Sequence, residues 1–143
     1  MARVALWNIF VGFVVVFISA SAGAFIAQDI TQNVISGTDG INTWFAILSR
    51  SAHGHFNLFG FLHILMGLSL SYSLLSEKSK ILQSVFLSMG TLAMGPVLLI
   101  KAYTEPTREL DALSYMIGAM LSLALLSIAM HIYGLGLKII KRA

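Results

Sequence analysis

Four runs of apolar residues, 4–27, 52–75, 81–100 and 113–137, alternate along the chain with short polar stretches. Each reaches the roughly 20 residues that a helix rising about 1.5 Å per residue needs to cross a hydrocarbon core. The pattern predicts an all-α fold, a four-transmembrane-helix bundle running up and down. Neither an internal repeat nor a low-complexity tract interrupts it, so residues 1–143 read as one domain.

The polar stretches set an orientation. Segment 28–43 carries Asp29 and Asp39 but no Lys or Arg, and holds the turn signal Gly37-Thr38-Asp39-Gly40, which marks it as external. Trp44, Phe45 and Arg50 follow as an interfacial anchor. Segment 76–80 carries Lys78 and Lys80 and reads as internal, as do Arg3 and the C-terminal Lys138, Lys141 and Arg142. Both termini are therefore expected on the cytoplasmic side, with Arg50, Lys101 and Arg108 as outer exceptions. Within the third run, Ser84, Ser88, Thr91 and Gly95 fall on one helical face as a small polar stripe, and Pro96 predicts a kink near Ala93. Thr107 is the expected N-cap of the fourth helix. The end of the first run is rich in small residues, Ser19 to Ala24. It also resembles a signal-peptide cleavage site after Arg3 and an apolar stretch, and we count the run as a retained span.

Composition reinforces the membrane reading. The 143 residues are 57% hydrophobic and 10% charged, against about 25% charged in a soluble domain, and the mean hydropathy is +0.86. The net charge of +3 is explained by topology and calls for no nucleic-acid partner. There are no cysteines, which excludes disulfides, thiolate metal sites, cysteine nucleophiles and Cys-x-x-Cys-His haem attachment. No Asp or Glu lies within a run, which argues against a proton pump or cation transporter. Histidine must carry any metal chemistry.

Three of the four histidines, His53, His55 and His63, lie in the second run, and His131 lies in the fourth. Intramembrane imidazoles must be hydrogen-bonded or bound to something, which makes them site candidates. At about 100° per residue, His53, Gly60 and Gly67 form a heptad line with Asn57 one turn from His53. That line leaves a flat groove for a neighbouring helix or a large planar ligand. His55 points about 200° away from His53, so the pair cannot chelate one ion and must face different neighbours. His53 and His55 are expected near the outer end, His63 near mid-membrane and His131 nearer the inside. Counted from the inner helix ends, His63 and His131 differ in depth by about 9 Å, which disfavours them as one bis-histidine pair.

The stretch Ala52-His-Gly-His-Phe-Asn-Leu-Phe-Gly60, followed by Ile64-Leu-Met-Gly67, resembles the haem-ligating helices of the haem-copper oxidase catalytic subunit. The closest likeness is to the helix whose two histidines, one residue apart, bind two different haems. The stretch is also similar to small four-span proteins with an Ala-His-x-His-x-Asn-Leu-x-Gly motif, described as oxidase subunit I-like. The resemblance implies a fold like one four-helix arc of that subunit, which has three arcs about a pseudo-threefold axis. It implies haem b with His53 and His55 as iron ligands near the outer face of a bacterial or archaeal cytoplasmic membrane. A homotrimer would then bring His55 of one protomer and His53 of the next to one haem. Arg50 and Asn57 become candidates to meet a propionate, with an interfacial anchor and an interhelical amide bond as their plainer roles. Gly60, Gly67 and His63 would line the cofactor site. The family's adjacent His-His pair for copper and its cross-linked histidine and tyrosine are absent, so oxygen reduction is not implied. A haem oxidoreductase or electron carrier with a redox partner protein or a quinone is expected. The rival readings are an accessory subunit of a respiratory complex and a copper- or zinc-binding membrane protein.

Overall fold

A computed structural model describes residues 3–38, 43–107 and 109–141. Its elements are α1 (Arg3–Ile35), α2 (Trp44–Ser69), a 3₁₀ turn (Leu70–Tyr72), α3 (Glu77–Leu92), a π-helical turn (Ala93–Val97), α4 (Leu98–Ala102) and α5 (Ala112–Ile140). No strand occurs among the described residues. Three helical stretches, α1, the continuous Glu77–Ala102 and α5, are long and apolar enough to cross a membrane. The same length is available in α2, but Ser49, Arg50, the three histidines and Asn57 dilute its hydrophobicity.

Helix ends differ from the sequence expectation. Expected to end near residue 27, α1 continues about two turns further through Gln28, Asp29 and Gln32. Falling hydropathy marks where lipid contact ends, whereas a helix ends where its backbone is stopped. That stop is Gly37, whose φ of 67° is the left-handed conformation a C-terminal closure needs. The Thr38 N–H then reaches back to the Asn33 carbonyl at 3.0 Å. Asp39 and Gly40 lie outside the described residues, as do Arg108 and Arg142. Expected at 52, α2 instead starts at Trp44, where the Thr43 hydroxyl caps the Ala46 N–H at 3.2 Å. Trp44, Phe45 and Arg50 therefore belong to α2 itself. The two helices project together beyond the apolar zone.

Packing joins α1 to α2 along their length and α3 to α5, and the pairs meet where α2 lies against α3 and α4. The buried positions of α1, Ala5, Asn8, Gly12, Val15 and Ser19, alternate at spacings of three and four, a coiled-coil seam. Apposed to it is the His53, Gly60 and Gly67 line of α2. A Cβ on Gly60 would stand 2.8 Å from Val16, and one on Gly67 would stand 2.7 Å from the Ala5 carbonyl oxygen. The groove is thus filled by α1, the neighbouring-helix alternative, and these two glycines do not line a cofactor. The α3 stripe also faces inward: Ser84 meets Asn8, Thr91 meets His63, and Gly95 lies against the Phe56 ring. Leu6, Phe10, Phe13 and Phe17 of α1, all more than half exposed, form a face for lipid tails.

Pro96 sits inside the π-helical turn. Its missing N–H and its ring are accommodated by widening the turn instead of ending the helix.

The N-cap of α5 is Asp111, not Thr107. The Asp111 carboxylate accepts from the Ser114 N–H at 2.8 Å, while the Thr107 hydroxyl donates to the Glu109 carbonyl. Asp111 also accepts from Lys101 Nζ at 2.8 Å and from the Ser114 hydroxyl. The Lys101 bond, the Ser114 hydroxyl and the Ser114 amide hold the Asp111 carboxyl well below the usual carboxylate range. Because the folded-state value is depressed, the contribution to stability is complete above the unfolded carboxylate value of about 3.9 and is lost as pH falls below it. Thermal unfolding in detergent is expected to show a fall in Tm on acidification below about pH 4, with a shallower fall in Asp111→Asn. An identical acid limb in the two proteins would remove Asp111 as its source.

Candidate functional site

His53 and His55 leave α2 on different sides. The His53 ring lies against α1, where a Cβ on Gly23 would stand 2.5 Å from its Cε1. Its Nδ1 is 2.9 Å from the Ser19 carbonyl oxygen, and the Ser19 hydroxyl donates back to the His53 carbonyl at 2.9 Å. A carbonyl only accepts, so the proton is on Nδ1, and the Nε2 lone pair has no hydrogen-bond partner. His53 therefore faces its own α1, where the sequence placed it toward another protomer.

His55 is exposed, and its Nδ1–H donates to the Ser51 carbonyl one turn back at 2.8 Å. Its Nε2 also has no partner. Next to it Gly54 is open, with nothing within 4 Å of an added Cβ, and Leu58 is exposed. An imidazole whose Nδ1–H is fixed on a carbonyl and whose Nε2 is free is oriented as a metal ligand.

Arg50, exposed on α2, donates from Nε to the Ala46 carbonyl at 3.1 Å. Asn57, half-buried, turns an unpartnered Oδ1 into the protein. That atom accepts hydrogen bonds, so in this orientation it suits a donor and not a propionate.

His63 is 1% exposed and bonded at both nitrogens. Nδ1 is 2.9 Å from Asn8 Oδ1, and Nε2 is 3.1 Å from the Thr91 hydroxyl. The Asn8 amide nitrogen donates to the Val4 carbonyl at 2.8 Å and the Ser84 hydroxyl at 2.7 Å, which fixes Oδ1 as the atom facing the ring. His63 must therefore donate from Nδ1, and its neutral Nε2 accepts from Thr91. The Thr91 hydroxyl can turn instead to the Leu87 carbonyl, 3.0 Å away, and accept from a protonated Nε2. One hydroxyl rotation satisfies both protonation states. Asn8 was not evident as a partner in the sequence, although a lone carboxamide inside an apolar run is the signal of an interhelical bond.

His131 donates from Nε2 to the Ser69 hydroxyl at 2.8 Å, since that hydroxyl itself donates to Leu65. Ser69 lies about 9 Å along α2 from His63, so His63 and His131 do not share a level. Gln83 is fully buried with both side-chain polar atoms unpartnered. Among the described residues no three His, Cys, Asp or Glu side chains cluster as a metal site.

No protein-family model, curated protein or solved structure matches the chain.

Proposed function

We propose that the protein binds a b-type haem in the membrane and serves electron transfer or haem-dependent redox chemistry, without a copper site. The observation that carries this is His55: exposed on a largely apolar helix, Nδ1–H anchored to Ser51, Nε2 free, and an open glycine beside it. An unpaired imidazole nitrogen facing hydrocarbon is costly, so a ligand there relieves a real penalty. Zinc and copper sites take three or four protein donors, whereas a haem iron takes one or two. The separated imidazoles favour haem on that ground. When bound, the haem would supply a one-electron couple whose potential the surrounding apolar side chains tune.

One chain presents one outward imidazole, so a homo-oligomer, a trimer on the layout the resemblance implies, would bring the second axial donor. The N-terminus of α1, the α2–α3 connection and the C-terminus of α5 share one end of the bundle, with Arg3, Lys78, Lys80, Lys138 and Lys141. We place that end in the cytoplasm. Lys101 at the other end is paired with Asp111, which weakens its weight as an exception.

Purified protein is expected to show a Soret band with sharp α bands on reduction. His55→Ala should abolish the low-spin spectrum and His131→Ala should leave it. A colourless preparation, or equal loss in both variants, overturns the reading. Mass in detergent tests the oligomer, since a monomer that keeps its haem would exclude a shared site.

A further inference from the structure

Between α1, α2 and the π-helical turn lies a cavity of about 280 Å³, walled by Ala22, Ser49, Ala52, His53 and Gly95. It exists because these residues are small and because Pro96 widens the helix where α4 begins. Through Ala22, Ile26, Ser49 and Leu99 it adjoins a second cavity of about 380 Å³ that reaches Asp29, Phe45 and Tyr103. Together they match the roughly 300–1,000 Å³ typical of small-molecule sites. Phe45 and Tyr103 stack edge to face at 5.0 Å at the outer end.

Two polar groups interrupt the apolar wall. Ser49 is 2% exposed and its hydroxyl has no hydrogen-bond partner. His53, one turn along α2, lines the same cavity with an unpartnered Nε2. Positions one turn apart are about 5–6 Å from each other, a spacing suited to a ring that carries oxygens.

We propose that this groove binds a quinone, the oxygen-bearing head at Ser49 and His53 and the hydrocarbon tail along the apolar wall. A plain acyl chain fits the volume but leaves the Ser49 hydroxyl unsatisfied in a dry site, a penalty a quinone oxygen removes. Pro96 and Leu99 on the rim are exposed, so the site opens sideways, where a membrane-dissolved molecule would enter. The assignment deepens the redox reading by naming a substrate class, but its test needs no haem.

Titration calorimetry of the full chain in detergent, with a decyl-substituted benzoquinone, is expected to show saturable binding. Decylbenzene, which has the tail without oxygens, should bind at least about tenfold more weakly. Ser49→Ala should weaken quinone binding by about three- to tenfold, the worth of one hydrogen bond. Ala22→Phe, at a half-buried wall position, should abolish it while the circular dichroism melt stays that of a folded protein. Equal binding of decylbenzene with no effect of Ser49→Ala would assign the groove to lipid tails and overturn the proposal, as would the absence of saturable quinone binding. A Soret band with no quinone binding sinks this site alone, and quinone binding to a colourless protein sinks the haem alone.

Discussion

Gly12→Leu is expected to separate α1 from α2 and to cost about 3 kcal/mol or more, the upper part of the range for overpacked cores. A Cβ at Gly12 would stand 2.6 Å from the Gly60 carbonyl oxygen and 2.9 Å from the Ile64 amide nitrogen. Both are backbone atoms of α2, and neither can turn aside as a side chain would. The only relief is for the helices to part, which loosens the seam through Ala5, Asn8 and Ser19 and the Ser19–His53 bonds with it. Gly12→Ala should already destabilise, although alanine favours a helix by about 1 kcal/mol over glycine. Gly118 of α5 is the control, because nothing lies within 4 Å of its added Cβ. Gly118→Ala should be neutral or slightly stabilising. Unfolding in mixed micelles followed by circular dichroism gives all three. A Gly12→Leu protein as stable as Gly118→Ala would mean that α1 is not held at this distance.

The same seam shows what a sequence displays and what it hides. Hydrophobic run length located the helices because crossing hydrocarbon sets a minimum length. The 84–95 stripe and Pro96 were legible because helical periodicity and a missing N–H act locally. Helix ends were less so: Gln28 to Ile35 continue α1 with no apolar residues required, since a partner helix and an absent stop signal suffice. Thr107 and Asp111 are both competent caps, and the choice between them lies in Lys101 and Ser114, which only the folded chain brings to Asp111. At the site, the divergence of His53 and His55 follows from helical geometry and was readable. That His53 turns to α1 was not, because Ser19 and Gly23 belong to a different helix. The quinone groove depends on small residues drawn from three elements and leaves no local motif at all.

The Asn8–His63 bond carries the second large effect. Replacing Asn8 with Leu is nearly isosteric, yet it leaves His63 Nδ1–H and the Ser84 hydroxyl without their partner in a site 1% exposed at His63. A buried group left unsatisfied costs about 1–3 kcal/mol. Interhelical hydrogen bonds in membranes often measure nearer 0.6 kcal/mol, because the separated helices find other partners. Here the surroundings of His63 offer no substitute: Thr91 already serves Nε2, and Leu62 and Met66 of its own helix are apolar. The expected cost of Asn8→Leu is therefore about 2 kcal/mol, and Thr91→Val should cost less, since it strands one lone pair and no N–H. The double variant Asn8→Leu/His63→Leu tests the mechanism, because removing both partners removes the unsatisfied group. Its destabilisation should fall below the sum of the single variants by about 1 kcal/mol or more. Strict additivity would show that the two side chains contribute packing alone. The ¹⁵N shifts of the His63 ring supply an independent check, because the bond to Asn8 Oδ1 requires the Nδ1–H tautomer in the native protein and Asn8→Leu releases that requirement.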